Sequence, residues 1–274
     1  MSMDTRAPMS LRPLKLMLVF LRVSIQNMAA YRVEMAMRAV VSIMHLASEL
    51  IGVWIIFNNT TVVRGWQWQH MLVLVGVYRM VAGGIRICIV PNMRKLLEDI
   101  RDGSLDFLLM RPVNAQFLAS IREVVPYRVI DVLLGAAVAI YGCLDLTSRI
   151  PAREAMLFVA MVSAGFLIVY AVWLMLGTLC FWFVRVQNIE MVFWNVFEAG
   201  RFPIMIYREW VQWTLTFLVP LAFITTFPAG ALLGDADKMP AGAPLWAFLI
   251  AAVLLFISNR FWRYGLRRYS GASA

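Results

Sequence analysis

Long apolar runs separated by short charged segments dominate the chain. A helix needs about 20 mostly apolar residues to cross the hydrocarbon core of a bilayer. Six segments meet that length, at 39–57, 71–90, 124–143, 155–184, 213–233 and 245–261. The fourth is long enough to tilt or to extend into the aqueous phase. The pattern predicts an all-α polytopic membrane protein, a single transmembrane domain over residues 1–274, with no internal repeat and no soluble domain between spans. Within the fifth run, Pro220 removes a helical hydrogen bond, and Phe227-Pro-Ala-Gly230 can end the helix in a bent or re-entrant turn; a fixed kink, the commoner fate of prolines in spans, is the favoured reading over an outer gate.

Two segments carry a different pattern. At 94–109, Leu96, Leu97, Ile100, Leu105, Leu108 and Leu109 recur at helical spacing, while Lys95, Glu98, Asp99, Arg101, Asp102 and Asp106 supply the polar remainder. Gly103 divides this stretch into two short helices and Pro112 stops the second. Such a segment is either a docking element for a cytosolic partner or a helix lying on the bilayer surface. At 11–28, apolar residues are interrupted by Arg12, Lys15, Arg22 and Gln26, and no small-residue cleavage site follows. This predicts an amphipathic helix along the inner membrane surface, held by its basic residues.

Composition agrees: 62% of residues are hydrophobic, 15% are charged, and mean hydropathy is +0.75. The net charge of +9 sits mainly beside apolar runs, so membrane orientation explains it better than nucleic acid does. With both termini cytosolic, that side holds Arg94, Lys95, Arg101, Arg111, Arg201, Arg208, Arg260, Arg263, Arg267 and Arg268. The other side keeps Arg64, Arg153 and Lys238 near Glu154, Asp235 and Asp237. Cys88, Cys143 and Cys180 lie in or beside apolar runs with no metal-binding spacing. There is no Gly-x-x-x-x-Gly-Lys-Ser/Thr loop, no Gly-x-Ser-x-Gly elbow and no His-Glu-x-x-His, so catalysis and a resident cofactor are not expected.

Ionisable residues inside spans are costly, and they face a partner, a polar cavity or each other. His45 and Glu49 share one face of the first span; Arg79 and Arg86 share one face of the second. Arg128 and Asp131, three apart in the third, can neutralise one another. The set is read either as intramembrane charge pairs or as part of a translocation path.

Four stretches point to a family. They are Ile100-Arg-Asp-Gly-Ser-Leu-Asp-Phe-Leu-Leu-Met-Arg-Pro-Val113, Gly200-Arg-Phe-Pro-Ile-Met-Ile-Tyr207, Val219-Pro-Leu-Ala-Phe-Ile-Thr-Thr-Phe-Pro-Ala-Gly230 and Trp262-Arg-Tyr-Gly-Leu-Arg-Arg-Tyr-Ser-Gly271. In this order, with six spans around them, they resemble permease subunits of ABC-2 exporters, including the viologen-exporter-like permeases. The resemblance implies a bacterial cytoplasmic membrane, a second permease subunit of the same or another chain, and two separate ATPase subunits that bind ATP and Mg. It also implies a coupling helix at 94–109; a short amphipathic helix seats its apolar face in a partner's groove, which makes Leu96, Leu97, Ile100 and Leu105 the expected anchors, with Asp99, Asp102, Asp106, Arg101 and Arg111 supplying polar contacts and Gly103 dividing the segment. Against it stand a non-transporting membrane scaffold and a secondary carrier using Glu49 or Asp131 as a proton site.

Overall fold

In the computed structural model, residues 32–111, 113–146, 150–183 and 188–269 are described, together with positions 20, 22 and 26. The surface helix expected at 11–28 therefore lies outside the described residues apart from Phe20, Arg22 and Gln26, each helical. Pro112 lies outside them too.

The helices are α1 (Arg32–Asn59), α2 (Trp68–Gly84), α3 (Val90–Arg101), α4 (Leu105–Leu109), α5 (Ala115–Ile121) and α6 (Val129–Leu146). They continue with α7 (Ala152–Leu179), α8 (Ile189–Glu198), α9 (Glu209–Trp213), α10 (Thr226–Leu233) and α11 (Ala243–Leu266). No strand occurs among the described residues. Five helical stretches are long and apolar enough to cross a membrane, and a bent pair makes a sixth if it counts as one span. The architecture is an all-α polytopic membrane protein.

α2 is the hub. Its residues from Met71 to Val77 are buried all round, the pattern of a helix enclosed on every side. α6 lies against it at backbone distance, because Gly76 and Gly135 face one another: a Cβ on Gly76 would sit 2.5 Å from the Ala139 nitrogen. Small residues let transmembrane backbones close in this way, replacing the hydrophobic drive that lipid cannot supply. α1 and α10 also touch α2, while α7 packs against α10 and α11. The outer faces stay apolar, as at Met37, Met44, Ile51 and Trp54 of α1, where hydrocarbon is the solvent.

Three features differ from the sequence expectation. The second span does not end near residue 90; α2 runs through a π-helical turn at Ile85–Ile89 directly into α3. Pro91 has no N–H to give, and the widened turn before it absorbs the break without ending the helix. The fifth run is broken at Pro220, as its sequence implies: Glu209–Leu218 and Leu221–Leu233 meet at a 70° bend. Pro220 marks that break, whereas 227–230 lies inside α10, which ends at Gly234 in the left-handed conformation. The fourth span, α7, closes at Leu179 instead of reaching 184.

Candidate functional site

A polar cavity of about 400 Å³ opens between α1, α2, α6 and α8. α1 contributes Ser42, His45 and Glu49, which fall at positions i, i+3 and i+7 and so share a face. α2 and its π turn contribute Tyr78, Arg79 and Arg86; Arg128 and Asp131 come from the start of the third span. α8 and the 3₁₀ turn after it add Trp194, Asn195, Glu198 and Arg201. The exposed His45 and Val41 mark its open side.

Arg79 is the centre of the network. Its guanidinium is 2.8 Å from Glu49 and 3.5 Å from Asp131, and it also donates to the backbone carbonyl of Ser42. Asp131 is shared further, lying 3.3 Å from Arg128 and accepting from the Ser42 hydroxyl. Arg201 is 2.7 Å from Glu198 and 3.9 Å from Glu49. Burial makes such pairing obligatory, since a carboxylate at this depth without a partner is strongly destabilising. Donors nevertheless outnumber acceptors: Nε of Arg79 and of Arg201 are buried with no hydrogen-bond partner among the described residues.

Arg86 stands apart. It has no carboxylate partner and makes no hydrogen bond to protein among the described residues. Its guanidinium instead lies over the Trp194 ring, 4.2 Å from the centroid. The sequence groups it with Arg79 as a candidate for pairing with Glu49; the structure brings only Arg79 there, because Arg86 lies seven residues further along the helix, on its π turn.

The segment 94–111 forms a second polar region outside the bundle. α3 and α4 are divided at Gly103, whose φ of 69° is the left-handed turn that glycine adopts without strain. The expected exposed anchors are not the ones the fold presents. Leu96 and Leu105 are fully buried, and Ile100 packs against the core. Asp99 is buried as well, 2.6 Å from Arg122 and accepting from the Ser104 hydroxyl at 3.1 Å, so it braces α3 against α5. The reason is that α3 is the continuation of a spanning helix, and its apolar stripe is used up on the bundle beneath it. What remains open is Phe107, 70% exposed, and Met110, 73% exposed, with Leu109 beside them. Asp106 is half-buried, while Arg101, Asp102 and Arg111 are exposed. The hydrogen bond from Arg101 holds the Asp102 carboxyl below its ordinary range.

The sequence did not single out Ser42, Tyr78, Trp194, Glu198 or Arg201 as site residues. For Ser42 the signal was present in its spacing to His45 and Glu49; α8 is too short to read as a span and offered none. Among the described residues no group of acidic, histidine or cysteine side chains is arranged to hold a metal ion.

A family model described as ABC-2 family transporter protein matches residues 43–273. No curated protein and no solved structure matches the chain.

Proposed function

The chain belongs to the ABC-2 family of transporter proteins and is a membrane permease of an ABC transporter, and from this we propose that it is one half of the membrane path of an ATP-driven exporter in a bacterial cytoplasmic membrane. A second permease, identical or different, faces it across the path. Two ATPase subunits carry ATP and Mg, since this sequence has no phosphate-cradling loop of its own. Nucleotide-driven movement of those subunits displaces α3 and α4 and changes which side of the membrane the polar cavity faces.

The observation that supports this coupling route is the exposed face of Phe107, Leu109 and Met110, set between Arg101, Asp102 and Arg111. An apolar centre with a charged rim is how a short helix seats in a partner's groove. The secondary-carrier alternative fits less well. Asp131 is bridged to Arg79 and Arg128, and Glu49 to Arg79 and Arg201, so loading a proton on either breaks several ion pairs at once.

Replacing Phe107 and Met110 together by Asp tests the route. Central apolar contacts of an interface commonly carry about 2 kcal/mol or more each. The double variant should insert normally but lose the co-purifying ATPase subunit and the ATPase activity that the permease stimulates. Wild-type stoichiometry and stimulation in that variant would place the contact elsewhere. Absence of any ATPase partner from the unaltered protein would remove the pump itself.

A further inference from the structure

We propose that the Arg86–Trp194 pair is a binding site for an oxyanion, so that the transported substrate carries a phosphate or carboxylate group. This rests on the permease reading for the word transported; the binding site itself does not. The cavity holds four arginines and three carboxylates, which leaves one positive charge among these seven groups. All three carboxylates are taken by Arg79, Arg128 and Arg201. The excess is therefore localised on Arg86.

An uncompensated cation on a membrane span is expensive and calls for a counter-charge. The fold retains it in an unusual setting: a π turn, a conformation that recurs at functional sites, aims the side chain into the cavity. Trp194 engages the cation through its ring, and such a contact consumes none of the guanidinium's N–H donors. A planar fork of free donors matches the oxygens of a phosphate or carboxylate and nothing cationic. The volume, about 400 Å³, suits the polar end of a small organic molecule. On the opposite face of α8, Phe193, Phe197, Val169 and Ile224 line an apolar groove of about 170 Å³, so an anion bearing a hydrocarbon chain is one source of the group and a free anion the other.

The test uses the full chain in nanodiscs of a zwitterionic lipid, without any ATPase, and three radiolabelled probes: dodecyl phosphate, inorganic phosphate and dodecyltrimethylammonium. Loss of ATPase association in the preceding experiment would leave this result standing, and the reverse holds too. Dodecyl phosphate should bind at least about tenfold more tightly than dodecyltrimethylammonium, the scale of one charge-assisted contact. Arg86→Gln should abolish that preference, and Arg86→Lys should keep part of it. Trp194→Leu should weaken dodecyl phosphate binding about threefold, the lower range of a cation–π contact, and it provides a second reading if the Arg86 variant assembles poorly. Inorganic phosphate that binds and competes names a free anion as the source; dodecyl phosphate binding without such competition names an amphiphile. Equal affinity for anionic and cationic probes, or an undiminished preference in both Arg86→Gln and Trp194→Leu, would overturn the site.

Discussion

Arg79 and Arg86 sit on the same helix, yet their surroundings assign them different energetics. Arg79 is bound by Glu49 and Asp131, with its side chain 7% exposed. Removing one member of a buried pair leaves the other uncompensated, at a cost of about 3 kcal/mol or more. Glu49→Gln should therefore lower the thermal unfolding midpoint in detergent markedly, and Glu49→Gln with Arg79→Gln should lose less than the sum of the two single losses. Strict additivity would show that the pair does not act as one. Arg86→Gln breaks no ion pair and should cost at most about 1 kcal/mol, its contact with Trp194. Helical spacing in the sequence placed Glu49 and the two arginines on facing surfaces, but periodicity gives a face and not a partner. Which arginine meets Glu49 depends on how deep α1 sits against α2, and that is set by packing contacts far apart in the chain. The same holds for Arg201, which reads as a loop cation in the sequence and reaches the cavity only because a 3₁₀ turn at Ala199–Arg201 carries it back to α2.

Between elements, the contact of interest joins α3 to α8. Arg94 of α3 donates to both carboxylate oxygens of Glu190 in α8, at 2.8 and 2.9 Å. Glu190 stands in the first turn of α8, where a carboxylate complements the helix dipole, and Trp194 lies one turn further along. An exposed pair of this kind contributes only about 0–1 kcal/mol to stability. Its position matters more: α3 leads to the exposed α4 face and α8 forms a wall of the cavity, so under the proposed coupling route the bridge is the contact that would carry displacement from one to the other. Glu190→Gln should leave the unfolding midpoint almost unchanged while reducing substrate-stimulated ATPase activity of the assembled transporter, and exchanging the pair as Arg94→Glu with Glu190→Arg should restore part of it. Unchanged stimulation in the single variant would show that motion travels by another route. Nothing in the sequence connected 94 with 190, because both belong to charged connecting segments whose pairing no periodicity records. The amphipathic stripe of 94–109 was legible, but its use was not: a stripe facing the bundle and one facing a partner have the same spacing; the unbroken run of α2 into α3 turns Leu96 inward, and the turn at Gly103 folds Leu105 of α4 back into the core.

For the whole molecule, the bent pair decides the parity of the spans. Hydropathy marks the other five plainly, because a bilayer demands a fixed apolar length. At 1.5 Å per residue the two arms of the pair, Glu209–Leu218 and Leu221–Leu233, measure roughly 15 and 20 Å. With a 70° bend between them, their ends are roughly 29 Å apart, close to the 30 Å hydrocarbon thickness. Charged residues flank the pair at both ends, Arg208 and Glu209 on one side and Asp235 and Lys238 on the other, with none between. Trp210 and Trp213 are exposed at the start, where aromatic residues anchor at an interface. These features support reading the pair as a sixth span over a re-entrant loop. A sixth span returns the C-terminal arginines to the side of the loop carrying Arg94, Lys95, Arg101 and Arg111, which concentrates positive charge on one face. In a background with Cys88, Cys143 and Cys180 replaced, single cysteines at Asp102 and Arg268 should both resist a membrane-impermeant thiol reagent in intact cells and both react after lysis. A cysteine at Ala241 should react from outside. Labelling of position 268 from outside with position 102 protected would make the pair re-entrant and leave five spans; labelling of position 102 from outside would invert the orientation on which cytosolic coupling depends.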